Sequence, residues 1–515
     1  MSRPVRRLLL LCLAAPVLLP LLSAALAWGT PATEIWSHQW QHALPRVATN
    51  SLMLIVLVGT GATLLGATLA WWVTTCEFPG RKFFEWALLL PLALPGYVLA
   101  VAYVGLLDFT GPVQTKMRDW GVDATLPSLR TTGGAALVLI LTLYPYVFML
   151  AKTAFSSMGR SFEVARTLGH SERQIFWRVA LPLARPALAA GAALVVMEVL
   201  ADFGVMSALN VDTLTTTIYR VWFGFFAFDA ALQLASVLAL LALTTLIVER
   251  RARGARGFAE RNAAMLSAPR QKLPGTMALG MFLAALLTLL LGFGIPVLQL
   301  ASWALEHVAM DLDARYLEFA GRSLLLAMMG ALLVTTAAVL RGFALRDERR
   351  PGWKSLADLS LLGYAIPGTV LAVGIFVPLA QTWMAGTLFA TLIAYLVRFH
   401  AVGAGTLDSG FARIPYRLDE ATRLLGHGGL AALRRVQLPL LRGSVVTSIV
   451  LVFVELMKEL PITLLTRPFG FDTLAVRVFE LTAEGEWHRA ALPSLAIVLA
   501  GLIPVFLLAR RSERG

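Results

Sequence analysis

Two stretches decide how this chain is read: EVARTLGHSERQIFWRVALP, residues 163–182, and EATRLLGHGGLAALRRVQLP, residues 420–439. In both, a glutamate is followed six positions later by glycine and twelve positions after that by Leu-Pro. The segment before the glycine is helix-forming, the glycine permits a sharp turn, and the segment after it is an amphipathic basic helix closed by proline. Each stretch therefore predicts a helix–turn–helix lying along one membrane face, a shape that a groove on another protein can grip. The two copies are in register: Glu163, Gly169, Leu181 and Pro182 recur as Glu420, Gly426, Leu438 and Pro439, each displaced by 257. Glu198, Asp202, Thr216 and Arg220 recur as Glu455, Glu459, Thr473 and Arg477 at the same displacement. Upstream, Pro95-Gly96 recurs as Pro367-Gly368, displaced by 272. A longer loop around 108–131 in the first half absorbs the difference.

The composition around these stretches is that of a membrane protein. Hydrophobic residues make up 58% of the 515 and charged residues 15%, against roughly 45–50% and about 25% in soluble domains. Mean hydropathy is +0.73. With Gly 41, Pro 25 and Cys 2, a collagen-like rod, a disordered tail and a disulfide scaffold are excluded. A spanning helix needs about 20 mostly apolar residues. Twelve such runs lie near 8–28, 49–74, 84–107, 132–152, 186–207, 228–248, 276–300, 323–345, 357–380, 386–406, 444–465 and 490–509. The expected fold is an all-α polytopic membrane protein with about 12 transmembrane helices. Arg3, Arg6 and Arg7 followed by a Leu-rich run resemble a signal peptide, but about 20 apolar residues exceed a 7–15-residue signal core. An uncleaved anchor is expected.

The excess of Lys+Arg 44 over Asp+Glu 31 gives a net charge of +13. These charges fall in short loops between apolar runs, the distribution that the positive-inside rule describes, and not in a nucleic-acid-binding surface. Placing both termini in the cytoplasm puts Arg81, Lys82, the Arg250–Arg256 run, Arg346 and the terminal arginines inside. The repeat then divides the chain into a first domain (1–255, loop 158–185), a cytoplasmic linker (256–275) and a second domain (276–515, loop 409–443). Six spans per half is an even number, so the halves form a parallel repeat with a permeation path expected at their interface.

With these features in place, the sequence resembles the inner-membrane permeases of binding-protein-dependent ABC importers. Their cytoplasmic signature is Glu-Ala-Ala-x3-Gly-x9-Ile-x-Leu-Pro, here with Val164, Thr422, Val179 and Val436 as departures. The resemblance implies two tandem six-helix domains of the type I importer kind. It also implies that Glu163, Ala165, Gly169, Leu181 and Pro182, with Glu420, Ala421, Gly426, Leu438 and Pro439, couple the chain to two copies of an ATPase subunit. A periplasmic binding protein is the implied source of cargo. No Gly-Lys dipeptide occurs, so no phosphate-cradling loop is present; ATP and Mg belong to the partner, and the chain itself is expected to bind no cofactor and to be no enzyme. The stretches 201–224 and 452–480 resemble segments of ferric-iron permeases, and Asp202-Phe203-Gly204 is shared with fused thiamine permeases. The ferric-iron reading is the expectation, with thiamine or another small solute as the alternative and a proton-coupled secondary transporter further behind.

Four acids fall within apolar runs, where charge is costly and usually faces an aqueous cavity. Glu198 and Asp202, and again Glu455 and Glu459, are four apart, which places each pair on one helix face. Their oxygen ligands suit a hard cation, and they are the candidate translocation path; Lys458 can pair with Glu455. Arg220, Arg477 and Glu480 are the candidate contacts for the binding protein. His38, His42, His307 and His488 look dispersed, His170 and His427 flank the loop glycines, and no metal site is expected. Pro95 and Pro367 are expected to kink the third span of each half.

Overall fold

A computed structural model describes residues 3–122, 125–253, 270–346, 348, 350–380, 382–384, 386–424 and 429–512. Most of the 256–275 linker, and Gly426 and His427 of the second loop, lie outside the described residues. Among those described, ten helices are long and apolar enough to cross a membrane. Pro351–Ala365 and Gly368–Leu379 form a further pair bent by 110°, and Ala491–Phe506 is a shorter apolar helix. All twelve apolar runs carry helix. The one paired extended segment described is a two-residue parallel bridge, Cys76–Glu77 with Gln271–Lys272.

Four runs depart from a single continuous span. At the third and ninth, the prolines do more than kink. The residue before a proline is pushed out of the α region, and Leu94 (φ −100°, ψ 111°) and Ile366 (φ −86°, ψ 127°) are extended. The preceding turns Leu90–Ala93 and Leu362–Ala365 tighten to 3-10 geometry, and new helices start at Gly96–Leu107 and Gly368–Leu379. The fifth and eleventh helices end early, at Ala201 and Met457, before short helices Gly204–Ala208 and Pro461–Thr466.

The Leu-Pro pair of each loop motif has its own local effect. A proline within a helix cannot donate to the carbonyl four residues back, and its ring presses on that turn. The helix widens instead to a π turn: Phe176–Ala180 ahead of Pro182, and Leu433–Gln437 ahead of Pro439. Leu181 N–H bonds to Phe176 O and Leu438 N–H to Leu433 O, both five residues back. Pro296 follows a third such turn, Leu290–Gly294.

The chain packs into two compact units that interleave along the sequence: 1–39, 217–240 and 309–480 in one, 40–216, 241–308 and 481–515 in the other. In the former, Ala314–Leu345, Leu388–Ala412 and Leu438–Met457 pack on one another. Leu44–Thr75, Thr132–Ser156 and Leu181–Ala201 do the same in the latter. Each kernel is thus built from the second, fourth and fifth spans of one half. The opening span comes from the other half: Ser23 donates to Gly374 O at 2.6 Å, and a Cβ on Gly105 would lie 2.4 Å from Trp303. Without a hydrophobic drive between helices in lipid, such close approach at small residues carries the packing. The sequence repeat and the packing units are therefore different divisions of the chain.

Candidate functional site

The 158–185 loop has the predicted helix and turn, but Pro182 does not close its second helix: with only a π turn ahead of the proline, Glu172–Ala201 runs on into the span. A short helix, Gly159–Thr167, is followed by Gly169 at φ +82°, a left-handed conformation suited to glycine. The next helix starts at Glu172 behind a capping box: Ser171 accepts the Gln174 amide while the Gln174 side chain accepts the Ser171 amide at 3.0 Å. Arg166 Nε bonds Glu172 Oε1 at 2.7 Å across the turn, and that carboxylate holds the guanidinium above its ordinary value. Ala165 is buried and Glu163 exposed, while Leu168 is 72% exposed. In the second copy, Tyr416–Leu424 is the first helix, with Glu420 and Ala421 exposed and Leu424 89% exposed. Thr422, in register with Ala165, is buried. Leu181-Pro182 and Leu438-Pro439 open the spanning helices directly behind the π turns. Each loop thus turns one side toward its own unit and presents an acid and a bare leucine on the other.

The four acids are not arranged as two helix faces. Glu198 and Glu455 lie on the last turns of their helices, and Lys458 Nζ bonds Glu455 Oε1 at 3.0 Å. Asp202 and Glu459 sit beyond the helix ends and turn forward instead. Asp202 Oδ1 accepts the Val205 amide at 2.8 Å, and Glu459 Oε1 accepts the Ile462 amide at 3.0 Å. Their backbones are fixed too: Thr215 donates to Asp202 O at 2.8 Å and Thr463 to Glu459 O at 3.0 Å. These breaks face the Pro-Gly breaks of the third and ninth spans. A Cβ on Gly96 would lie 2.8 Å from Val205 and 3.7 Å from Asp202 Oδ2; on Gly368 it would lie 3.1 Å from Pro461 and 3.2 Å from Glu459 Oε1. In each unit, a carboxylate therefore lies beside the N-terminus of a twelve-residue helix.

Arg398 interrupts the apolar run 386–406, and the structure gives it a task. It is 8% exposed, and its Nη1 donates to Tyr364 O at 2.7 Å and Ile366 O at 2.6 Å. Those carbonyls are freed by the break before Pro367, so the guanidinium satisfies what the broken helix leaves open. The helices Thr132–Ser156 and Leu388–Ala412 correspond at a displacement of 256, so the register partner in the first half is Thr142. A charged residue inside a span is the signal that marks such a position.

Arg220 is exposed in the middle of the helix Leu214–Gly224. Arg477 and Glu480 belong to a network instead of standing alone: Arg477 approaches Glu480 at 3.6 Å, Arg467 pairs with Glu480 at 3.1 Å, and Arg467 also pairs with Asp472. Burial, with Asp472 beside it, holds the Glu480 carboxyl above its ordinary range despite the two arginines. The histidines are less dispersed than their spacing suggests, since the His307 and His488 rings stack at 5.7 Å. No group of three metal-ligating side chains occurs among the described residues.

Residues 62–249, which include the first loop and the Glu198–Asp202 break, match the family of binding-protein-dependent transport system inner membrane components. The chain is 27% identical over 518 residues to the Fe(3+)-transport system permease protein FbpB 2 of Haemophilus influenzae, covering 97% of each. It is 25% identical to the ferric transport system permease protein FbpB of Actinobacillus pleuropneumoniae, over 90% of this chain and 71% of the relative. The sulfate transport system permease protein CysW of Synechocystis is 28% identical, over 41% of this chain and 76% of that one.

Proposed function

We propose that this chain, a multi-pass transport permease of the binding-protein-dependent kind, carries ferric iron into the cytoplasm. Relatives that match almost its full length are ferric-iron permeases, and that correspondence carries the cargo assignment. The chain performs no covalent chemistry. It alternates access while an ATPase, holding ATP and Mg, closes and opens. One ATPase copy docks at each loop, on Glu163, Ala165, Gly169, Leu181 and Pro182 and on Glu420, Ala421, Gly426, Leu438 and Pro439. Exposed Leu168 and Leu424 support this reading, since bare leucines on a polar loop suit a partner's groove. The loops, both termini and the linker are cytoplasmic.

A periplasmic binding protein delivers the cargo, with Arg220, Arg477 and Glu480 as contacts. Ferric ion is a hard cation that prefers oxygen ligands, and Glu198, Asp202, Glu455 and Glu459 supply carboxylates on its path. Conduction needs sites weak enough to release, which agrees with Asp202 and Glu459 already engaged by backbone amides and Glu455 by Lys458. The test is uptake into proteoliposomes holding the chain, its ATPase and the iron-loaded binding protein. ATP-dependent iron accumulation supports the assignment. Accumulation driven by a proton gradient without ATP overturns it.

A further inference from the structure

Among the described residues the two loops share a first helix and a π turn, yet different contacts add to the apolar packing that holds each. The helices Leu44–Thr75 and Ala314–Leu345 are each 32 residues long and correspond at a displacement of 270. Trp71 therefore stands where Arg341 stands, and Cys76 where Arg346 stands. At the displacement of 257, Phe162 corresponds to Asp419, Phe176 to Leu433 and Ala180 to Gln437. Phe162 and Asp419 each directly precede the motif glutamate, and both are buried.

Around Phe162 the first loop is held by an aromatic nest. The Trp71 ring meets Phe155, Phe162 and Phe176 edge-on, at centroid distances of 5.3, 5.5 and 5.0 Å. One span, the end of another, the loop helix and the π turn before the next span thus converge on one indole. Around Asp419 the same four elements are joined ionically. Arg346 Nε pairs with Asp419, its Nη1 donates to Phe411 O at 2.9 Å, and its Nη2 donates to Ile414 O at 2.8 Å. The other Asp419 oxygen accepts from Gln437 Nε2 at 2.9 Å. Arg346 is 10% and Asp419 7% exposed, so the pair is desolvated and directional.

We infer that Arg346–Asp419 is the positioning clasp that carries motion of the second docking loop into its spanning helices, the role that the Trp71 nest fills in the first half. The inference rests on these loops being the ATPase-docking elements. An aromatic nest tolerates sliding and rotation of its members; a buried ion pair sharing its groups with two carbonyls and an amide does not. The two loops are therefore not interchangeable, and the second is the one whose coupling is broken by a single lost charge.

The assembled importer in proteoliposomes tests this through the cargo moved per ATP hydrolysed, together with the amount of ATPase bound to the chain. For Asp419→Ala and Arg346→Ala, the expectation is unchanged ATPase binding with at least a fivefold fall in cargo per ATP. Asp419→Glu restores half or more of it. The double exchange Arg346→Asp/Asp419→Arg exceeds either single reversal. Trp71→Phe, which keeps an aromatic ring in the nest, leaves the ratio within twofold. If the alanine variants assemble with a wild-type ratio, the clasp assignment is overturned. If they fail to assemble, the glutamate variant decides alone: assembly with half or more of the wild-type ratio is expected, and assembly with the ratio lost overturns the clasp. Leu168→Asp and Leu424→Asp separate this from the docking reading. Full ATPase binding in both refutes docking at the loops, whatever the clasp variants do.

Discussion

Asp202 Oδ1 accepts the Val205 amide at 2.8 Å, and by doing so an acid expected on a helix face becomes the cap of the next helix. The same geometry recurs at Glu459 and Ile462, at 3.0 Å. Capping and charge can be separated here. Asp202→Asn keeps an oxygen for the amide, and the expected result is normal abundance with slowed iron transport. Asp202→Ala loses the cap as well, about 1 kcal/mol, and is expected to lower thermal stability in detergent. Equal transport in the wild type and the asparagine variant would remove Asp202 from the path.

Gly169 has open space around its missing Cβ, so its φ of +82° is the constraint on substitution, not crowding. Left-handed geometry costs an L-residue about 1–2 kcal/mol, with Asn the least affected. Stimulated ATPase activity of the assembled importer is expected to fall in the order Gly, Asn, Ala, Val, with insertion unchanged. An unordered series would show that the turn is not needed for docking.

Pro182 and Pro439 impose π turns at matching places. Replacing either with alanine restores the normal bonding and removes one residue from the widened turn, rotating the loop by about 100° relative to its span. The expected outcome is a chain that inserts normally and transports less than a tenth as well. Cysteine cross-linking between loop and ATPase reports the change in facing directly, and an unchanged cross-linking pattern would contradict it.

Arg398 holds the carbonyls of Tyr364 and Ile366 at the break of the ninth span. Arg398→Met leaves them without this donor, at about 1–3 kcal/mol for each unsatisfied group. A clear loss of thermal stability is expected, with Arg398→Lys intermediate. A methionine variant as stable as the wild type would show that the break is held by other means.

The reach of the sequence differed from feature to feature, for physical reasons. A continuous apolar run of about 20 residues satisfies its own backbone in lipid as a helix, so all twelve carry helix. The loop motif foretold the turn at Gly169 because glycine and its flanking polarity act locally. Asp202 and Glu459 depart from the expected helix face because a spacing of four implies a shared face only if the helix continues. At Ala201 and Met457 it stops, a choice made by packing against the Pro-Gly breaks. The exchanged opening spans, with Ser23 on Gly374 and Trp303 on Gly105, are tertiary and leave no local pattern. The Arg346–Asp419 pair joins residues 73 apart, and nothing short of the aligned repeat brings it next to Trp71 and Phe162.

The most direct test of the transport assignment is uptake of labelled ferric iron in cells lacking this chain, complemented with the wild type or with Gly169→Val, with thiamine uptake measured alongside. The account predicts that the wild type alone restores iron uptake and that thiamine uptake is the same in every strain. Iron uptake indifferent to the chain, or restored equally by Gly169→Val, would contradict it.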